Sequence, residues 1–258
     1  MGVSNRLAWG CPTKEHLLPH FLEHLGNNHL DIGVGTGFYL THVPESSLIS
    51  LMDLNEASLN AASTRAGESK IKHKINHDVF EPYPAALHGQ FDSISMFYLL
   101  HCLPGNISTK SCVIRNAAQA LTDDGTLYGA TILGDGVVHN SFGQKLMRIY
   151  NQKGIFSNTK DSEEGLTHIL SEHFENVKTK VQDTVMACKF FPGPVSRIAG
   201  MPDTAPSGAV FFIPSAIFTP LPDYAVTHRT ARLTSALHTP PVPACASSRR
   251  ESPFLSCH

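Results

Sequence analysis

The stretch of sequence that decides the fold is His29-Leu30-Asp31-Ile32-Gly33-Val34-Gly35-Thr36-Gly37-Phe38. A short apolar run ends in an aspartate and continues into a glycine-rich loop, which is typical of a strand that turns sharply and feeds a helix, here expected from Phe38. A second carboxylate, Asp53, follows 22 residues after Asp31, at the end of the next apolar run. In a β-α-β unit this position faces the ribose of a bound nucleotide. The spacing therefore predicts an α/β domain with a nucleotide-type ligand.

The spacing of the glycines separates two kinds of ligand. Dinucleotide folds use Gly-x-Gly-x-x-Gly, with the third glycine beside the pyrophosphate at a helix N-terminus. In this chain Phe38 stands at that third position, and the glycine comes one residue early, at Gly37. The carboxylate of Asp31 would repel a pyrophosphate but attract the cationic amino group of S-adenosylmethionine. The charges favour S-adenosylmethionine, and an NAD(P)-dependent oxidoreductase remains as the alternative.

Strand-like runs alternate with helical patterns up to residue 191. The predicted strands cover residues 29–32, 48–52, 70–76, 91–97, 125–133, 177–181 and 185–190. Helices are predicted over residues 13–25, 55–66 and 111–121, the first bent or shortened by Pro19, and a polar, helix-prone segment covers residues 135–174. This alternation implies parallel β-α-β units with right-handed crossovers. The last two runs are joined only by residues 182–184, which permits only an antiparallel hairpin.

Two further candidate sites follow the third and fourth strands. Asp78 can accept a hydrogen bond from the exocyclic amine of adenine, and Val79 can donate its backbone N–H to a ring nitrogen. Phe97 closes the fourth strand. Because open α/β sheets bind ligands at the carboxyl ends of their strands, we expect all these residues to lie along one edge with Asp31 and Asp53.

These motifs resemble those of the class I S-adenosylmethionine-dependent methyltransferases over about residues 4–190. The resemblance is carried by Asp31-x-Gly33-x-Gly35-x-Gly37, Asp53, Asp78-Val79, the strand that begins Phe91-Asp92, and Leu121 to Leu127. It implies a Rossmann-like, mostly parallel seven-strand sheet flanked by helices, of order 3-2-1-4-5-7-6, with strand seven antiparallel. It also implies a role for each site residue: the methionine part for Asp31, Gly33, Gly35 and Gly37, the ribose for Asp53, adenine for Asp78 and Val79, and the lining of the site for the backbone around Phe97 and Tyr98.

Methyl transfer from a sulfonium asks the protein mainly to align the acceptor and exclude water. A general base helps when the acceptor is a hydroxyl, and His101, after the fourth strand, is the candidate; a structural histidine is the alternative. By resemblance, the acceptor is a small organic metabolite, and residues 135–174 form a cap over it. Relatives carry an N-terminal segment that closes over the cofactor. Residues 2–9 resemble an internal piece of that segment, so a non-catalytic binding protein of the same fold is a second hypothesis.

Composition and charge limit the classes of binding partner that we expect. The net charge of -2 does not suggest a nucleic-acid binder, and Met96-Phe97-Tyr98-Leu99 lacks the prolines typical of base-methylating enzymes. No apolar run is long enough to span a bilayer, and no secretory signal is evident, so we expect a cytoplasmic protein without membrane contact. The oligomeric state is left open.

Two features complete the sequence picture. His16, His20 and His24 are spaced to share a helix face, but no HExxH is present, and we interpret them as a solvated face and expect no metal. Residues 1–191 are interpreted as the catalytic domain. Residues 192–258 hold 11 of the 17 prolines and are predicted to form a disordered tail, with out-of-frame or intron-derived sequence as the alternative.

Overall fold

The computed structural model describes residues 2–191, with side chains described over residues 5–190. The predicted proline-rich tail over residues 192–258 lies outside the described residues.

The centre of the domain is one seven-stranded sheet. Its strands are β1 Asn28–Ile32, β2 Leu48–Asp53, β3 Ile71–Asn76, β4 Phe91–Phe97, β5 Leu121–Ile132, β6 Asn176–Gln182 and β7 Val185–Phe191. Their order in the sheet is β3-β2-β1-β4-β5-β7-β6, and β7 runs antiparallel to both of its neighbours. The other pairings are parallel. Both the predicted order and the predicted hairpin are confirmed.

Six α-helices are described around the sheet within residues 2–191. They are α1 Gly2–Leu7, α2 Leu18–Glu23, α3 Glu56–Ala66, α4 Ile107–Ala120, α5 Ser141–Gln152 and α6 Glu163–Ser171. Polar side chains cap the last four, because their oxygens accept the free N–H groups of the first turn. The capping residues are Asn55, Asn106, Asn140 and Ser162.

Three local predictions differ from the structure. The predicted first helix opens as a π-helical turn over Thr13–Leu17 before α2, which has Pro19 in its first turn, where proline is tolerated. The helix expected from Phe38 is only a 3-10 turn, Tyr39–His42, because Val43 precedes a proline and is extended. The turn predicted before the fifth strand lies inside β5, where the pairing with β4 shifts register.

Apolar side chains cover both faces of the sheet. One cluster packs α4 and α6 against it and includes Leu30, Ile94, Val113, Leu127, Leu166 and Ile169. The other packs α2, α3, α5 and the N-terminal residues against the opposite face and includes Trp9, Phe21, Leu51, Leu59, Tyr128 and Met147. A buried ion pair between Lys110 and Asp161, with an N···O distance of 2.5 Å, ties α4 to the loop before α6. None of the helices within residues 2–191 has the length and hydropathy to cross a bilayer.

Candidate functional site

The carboxyl ends of the parallel strands bring the predicted ligand residues to one edge of the sheet. Asp31 lies one residue before the end of β1, and Asp53 ends β2. Asp78 follows the end of β3 by two residues. Since β3, β2 and β1 are successive neighbours, the three carboxylates form a row across the edge. The predicted juxtaposition is therefore present.

The glycine loop after β1 has the backbone geometry that only glycine adopts without strain. Gly33, Gly35 and Gly37 have φ angles of 72°, 52° and 69°. The N–H of Gly33 donates to the carbonyl of Met52 at 2.9 Å, which ties the loop to β2. A Cβ at Gly37 would lie 2.9 Å from the Cα of Ala62, so the loop packs directly on α3.

Asp31 is a buried carboxylate, with 5% of its surface exposed. Burial raises its pKa from 3.8 to about 7, although a hydrogen bond from the Ser95 hydroxyl, at 2.5 Å, works in the opposite direction; the nearby charge of Asp53 adds to the rise. A carboxylate held this way is costly to ionise alone. It suits a cationic ligand group, because a positive charge would offset the cost.

A series of buried hydrogen bonds holds the side chain of Asp31 in position. Because the Ser95 hydroxyl donates to Asp31, it accepts from Nε2–H of His29 at 3.0 Å. Nδ1 of His29 then accepts from the Ser93 hydroxyl at 2.8 Å, and the oxygen of Ser93 accepts from the N–H of Gly26. His29 is fully buried, which lowers its pKa to about 3 and keeps it neutral. Our sequence analysis missed this series of hydrogen bonds, although polar residues inside strands β1 and β4 were its signal.

The other two carboxylates are held by local backbone bonds. The N–H of Asn55 donates to Oδ1 of Asp53 at 2.8 Å, and the N–H of Phe80 donates to Oδ1 of Asp78 at 3.0 Å. The carbonyl of Val79 accepts from the Asn116 side chain of α4 at 3.0 Å. These contacts fix the loops after β2 and β3 in place, and the ribose and adenine roles of Asp53, Asp78 and Val79 stay predictions.

Phe97 and Tyr98 end β4 in different ways. The side chain of Phe97 packs in the aromatic core, with its ring centre 4.5 Å from that of Tyr39, so only its backbone is available to line the site. Tyr98 has a positive φ of 60°, which is uncommon for a residue with a side chain. Its hydroxyl is buried and has no hydrogen-bond partner among the described residues. Strain and an unpartnered polar atom together indicate a functional position.

His101 has the surroundings of a structural residue. It is 1% exposed, and burial, with a smaller effect of Lys110, lowers its pKa to about 3. Its Nδ1 accepts from the N–H of Ile132 at 3.3 Å and lies 3.1 Å from the hydroxyl of Thr131. A nitrogen that is already hydrogen-bonded is poorly placed to receive a substrate proton. This geometry favours the structural alternative over the predicted base.

Residues 5–13 pack over the end of β5 at this edge of the sheet. The hydroxyl of Thr184, which precedes β7, donates to the carbonyl of Trp9 at 3.0 Å, and the side chain of Asn140, after β5, donates to the carbonyl of Leu7 at 2.9 Å. The indole of Trp9 is buried against His139 and Phe156, with ring centres 5.9 and 6.0 Å away. The short N-terminal segment thus supplies a cover for the end of β5.

The three spaced histidines do not form a solvated face as predicted. His16 is exposed, but the rings of His20 and His24 pack 4.8 Å apart, and His20 bonds to the carbonyl of Cys188. The side chain of His24 is only 4% exposed. The face is partly buried because α2 packs on the aromatic residues of the sheet. No group of three metal-ligating side chains occurs within the described residues.

Comparisons with known proteins agree with this geometry. A family model described as a methyltransferase domain matches residues 30–127. The chain is 98% identical over 186 residues to the uncharacterized protein YbcY of Escherichia coli (strain K12), covering 72% of this chain and 96% of that protein. It is 41% identical over 191 residues to the physcion biosynthesis cluster O-methyltransferase of Aspergillus chevalieri, covering 73% and 86% respectively.

Among solved structures, the fold is similar to that of N-methyltransferase NodS from Bradyrhizobium japonicum WM9 in complex with S-adenosyl-l-homocysteine. The TM-score is 0.50 at 16% identity, over 70% of this chain and 86% of that chain. At this level of identity the likeness concerns the fold alone.

Proposed function

Because the chain belongs to the class I S-adenosylmethionine-dependent methyltransferases, we propose that it transfers a methyl group from S-adenosylmethionine to a small organic acceptor. The observation that carries the proposal is the buried carboxylate of Asp31 beside the glycine loop. The Ser95 hydroxyl donates a hydrogen bond to it, and burial raises its pKa. It lies in a row with Asp53 and Asp78. A cationic ligand with a nucleoside part matches this arrangement of charges.

Each part of S-adenosylmethionine can be assigned to particular residues of the chain. Asp31 would hold the amino group of the methionine part, with the loop from Gly33 to Gly37 closing around it. Asp53 would accept from the ribose hydroxyls, and Asp78 with Val79 would contact adenine. When bound, the cofactor supplies a methyl group on a positively charged sulfur that leaves as a neutral thioether. The protein then has to align the acceptor and exclude water.

We expect the acceptor to bind at the carboxyl ends of β4 and β5, because the residues proposed to bind the cofactor lie at the carboxyl ends of β1, β2 and β3. Aromatic side chains dominate there, among them Trp9, Tyr98 and Phe156. Such a lining suits a small ring-bearing acceptor better than a charged polymer. The relative in a physcion biosynthesis cluster, named as an O-methyltransferase, supports a metabolite acceptor of secondary metabolism. The non-catalytic alternative is not favoured by these relatives.

Calorimetric titration of the full chain tests the cofactor. We expect micromolar binding of S-adenosylmethionine and none of NADH. The variant Asp31→Ala should lose this binding while keeping the far-UV circular dichroism of the wild type. Binding of NADH alone, or unchanged affinity in the variant, would refute the assignment.

A further inference from the structure

His139 lies in the loop between β5 and α5, at the acceptor side of the sheet edge. Its Nε2 is 2.9 Å from the carbonyl oxygen of Leu133. A carbonyl oxygen only accepts hydrogen bonds, so Nε2 carries the hydrogen, and the neutral ring keeps a lone pair on Nδ1. The main-chain bond thus selects one tautomer and directs the basic nitrogen away from Leu133.

That basic nitrogen lacks a hydrogen-bond partner among the described residues. Nδ1 of His139 is buried and forms no hydrogen bond within the described part of the chain. Leaving a buried polar atom without a partner is unfavourable, so such atoms call for an explanation. His101 and His29 differ in this respect, because Nδ1 of each is already engaged.

The surroundings of His139 indicate what would meet the free nitrogen. The indole of Trp9 packs edge-on against the imidazole, with an interplanar angle of 86°. Trp9 also contacts Phe156, which packs against His101, and His101 in turn packs against Tyr98 at the end of β4. A row of rings therefore connects the imidazole of His139 to Tyr98, the residue after β4. A ligand at this nitrogen would be bordered by aromatic faces.

We propose that His139, rather than His101, is the general base, and that it accepts the proton of a phenolic hydroxyl through Nδ1. This inference rests on the proposed methyltransferase function. The acceptor oxygen forms the new bond to the methyl carbon while its proton passes to Nδ1. The carbon–sulfur bond breaks, its electron pair stays on sulfur, and the imidazolium later releases the proton to water.

A pair of phenols separates this role from a structural one. At pH 8, 4-nitrophenol is largely ionised and needs no base, whereas 4-methoxyphenol is protonated. The variant His139→Gln keeps an amide N–H for the carbonyl of Leu133 but has no basic nitrogen. His88→Gln is the matched control. Nε2 of His88 also hydrogen-bonds to a backbone carbonyl, that of Tyr83, but His88 precedes β4 and therefore lies at the opposite edge of the sheet.

We expect His139→Gln to bind S-adenosylmethionine as the wild type does. Its kcat/KM should fall about 10²- to 10⁴-fold with 4-methoxyphenol and less than about tenfold with 4-nitrophenol. His88→Gln should match the wild type with both phenols. Equal losses with both phenols, or no loss with either, would overturn the base role. Wild-type chain that binds the cofactor but methylates neither phenol would overturn this inference alone, while failure to bind the cofactor would refute the proposed function.

Nitrogen NMR gives a readout that does not need turnover. In ¹⁵N-labelled wild type with S-adenosylhomocysteine, Nδ1 of His139 should show the shift of an unprotonated nitrogen, assigned by its absence in His139→Gln. Addition of 4-methoxyphenol should move that signal towards the shift of a hydrogen-bonded nitrogen. A protonated Nδ1, or a signal that stays in place at saturating phenol, would overturn the proposal.

Discussion

Replacing Asp31 by asparagine should stabilise the free protein and weaken its binding of S-adenosylmethionine. The amide has nearly the same shape as the carboxyl group, and its oxygen can still accept from the Ser95 hydroxyl. The substitution therefore removes the charge and little else. Opposite signs for stability and binding are expected because this charge is costly in the free fold and useful only with a cation beside it.

The size of the effect follows from the pKa of Asp31, which burial raises from 3.8 in the unfolded chain to about 7 in the fold. A raised folded pKa means that the fold prefers the protonated carboxyl. The penalty is absent below the unfolded pKa, grows as the pH rises, and is complete above the folded pKa. At about 1.36 kcal/mol per pKa unit, it reaches an upper bound of about 4 kcal/mol. Between pH 5 and pH 8 it grows by up to about 3 kcal/mol.

Urea denaturation of wild type and Asp31→Asn at pH 5, 7 and 8 measures this difference. The stability gain of the variant should increase with pH and level off above about pH 7. Calorimetry on the same samples should show wild-type affinity for S-adenosylmethionine rising about tenfold per pH unit up to about pH 7, because binding requires the ionised form. The variant should bind at least about 30-fold more weakly at pH 8, equivalent to about 2 kcal/mol.

The reasoning fails if the variant is less stable than the wild type by the same amount at every pH. That result would mean that Asp31 is ionised and well paired in the free fold. It also fails if both proteins bind S-adenosylmethionine equally well at pH 8.

Three further substitutions test the supports of the site. Ser95→Ala removes a hydrogen-bond donor that lowers the pKa of Asp31, so the pH midpoint of cofactor binding, measured by calorimetry, should move upward. An unchanged midpoint would contradict the role given to the Ser95 hydrogen bond. Lys110→Ala leaves Asp161 buried without its cation and should cost about 3–5 kcal/mol in urea denaturation; a loss below about 1 kcal/mol would show that the pair is dispensable. Gly37→Ala places a methyl group against α3 at a φ of 69° and should cost about 1–3 kcal/mol; wild-type stability would show that the loop relaxes freely.

The strand pattern and the carboxylate row could be predicted from sequence because both depend on short-range order. Alternation of apolar residues places strands, and parallel strands present their carboxyl ends at one edge. Asp31, Asp53 and Asp78 each follow an apolar run, so their neighbourhood follows once the strands pair. The strand β4 was predicted with the same bounds as the structure shows. The helix expected from Phe38 was wrong because Pro44, seven residues after Gly37, limits the chain before β2.

What the sequence by itself determined is the class of fold, the family, and the row of carboxylates at one edge of the sheet, because these depend on spacing along the chain. Which histidine nitrogens are already hydrogen-bonded was decided only by the tertiary structure. Whether an imidazole nitrogen is free depends on which groups the fold brings to it. Thr131 and Ile132 bond to Nδ1 of His101, whereas Leu133 fixes the tautomer of His139, whose Nδ1 has no partner within the described part of the chain. Burial of Asp31 and its support by His29 and Ser95 likewise arise between strands that are more than 60 residues apart, and no local pattern encodes the resulting pKa.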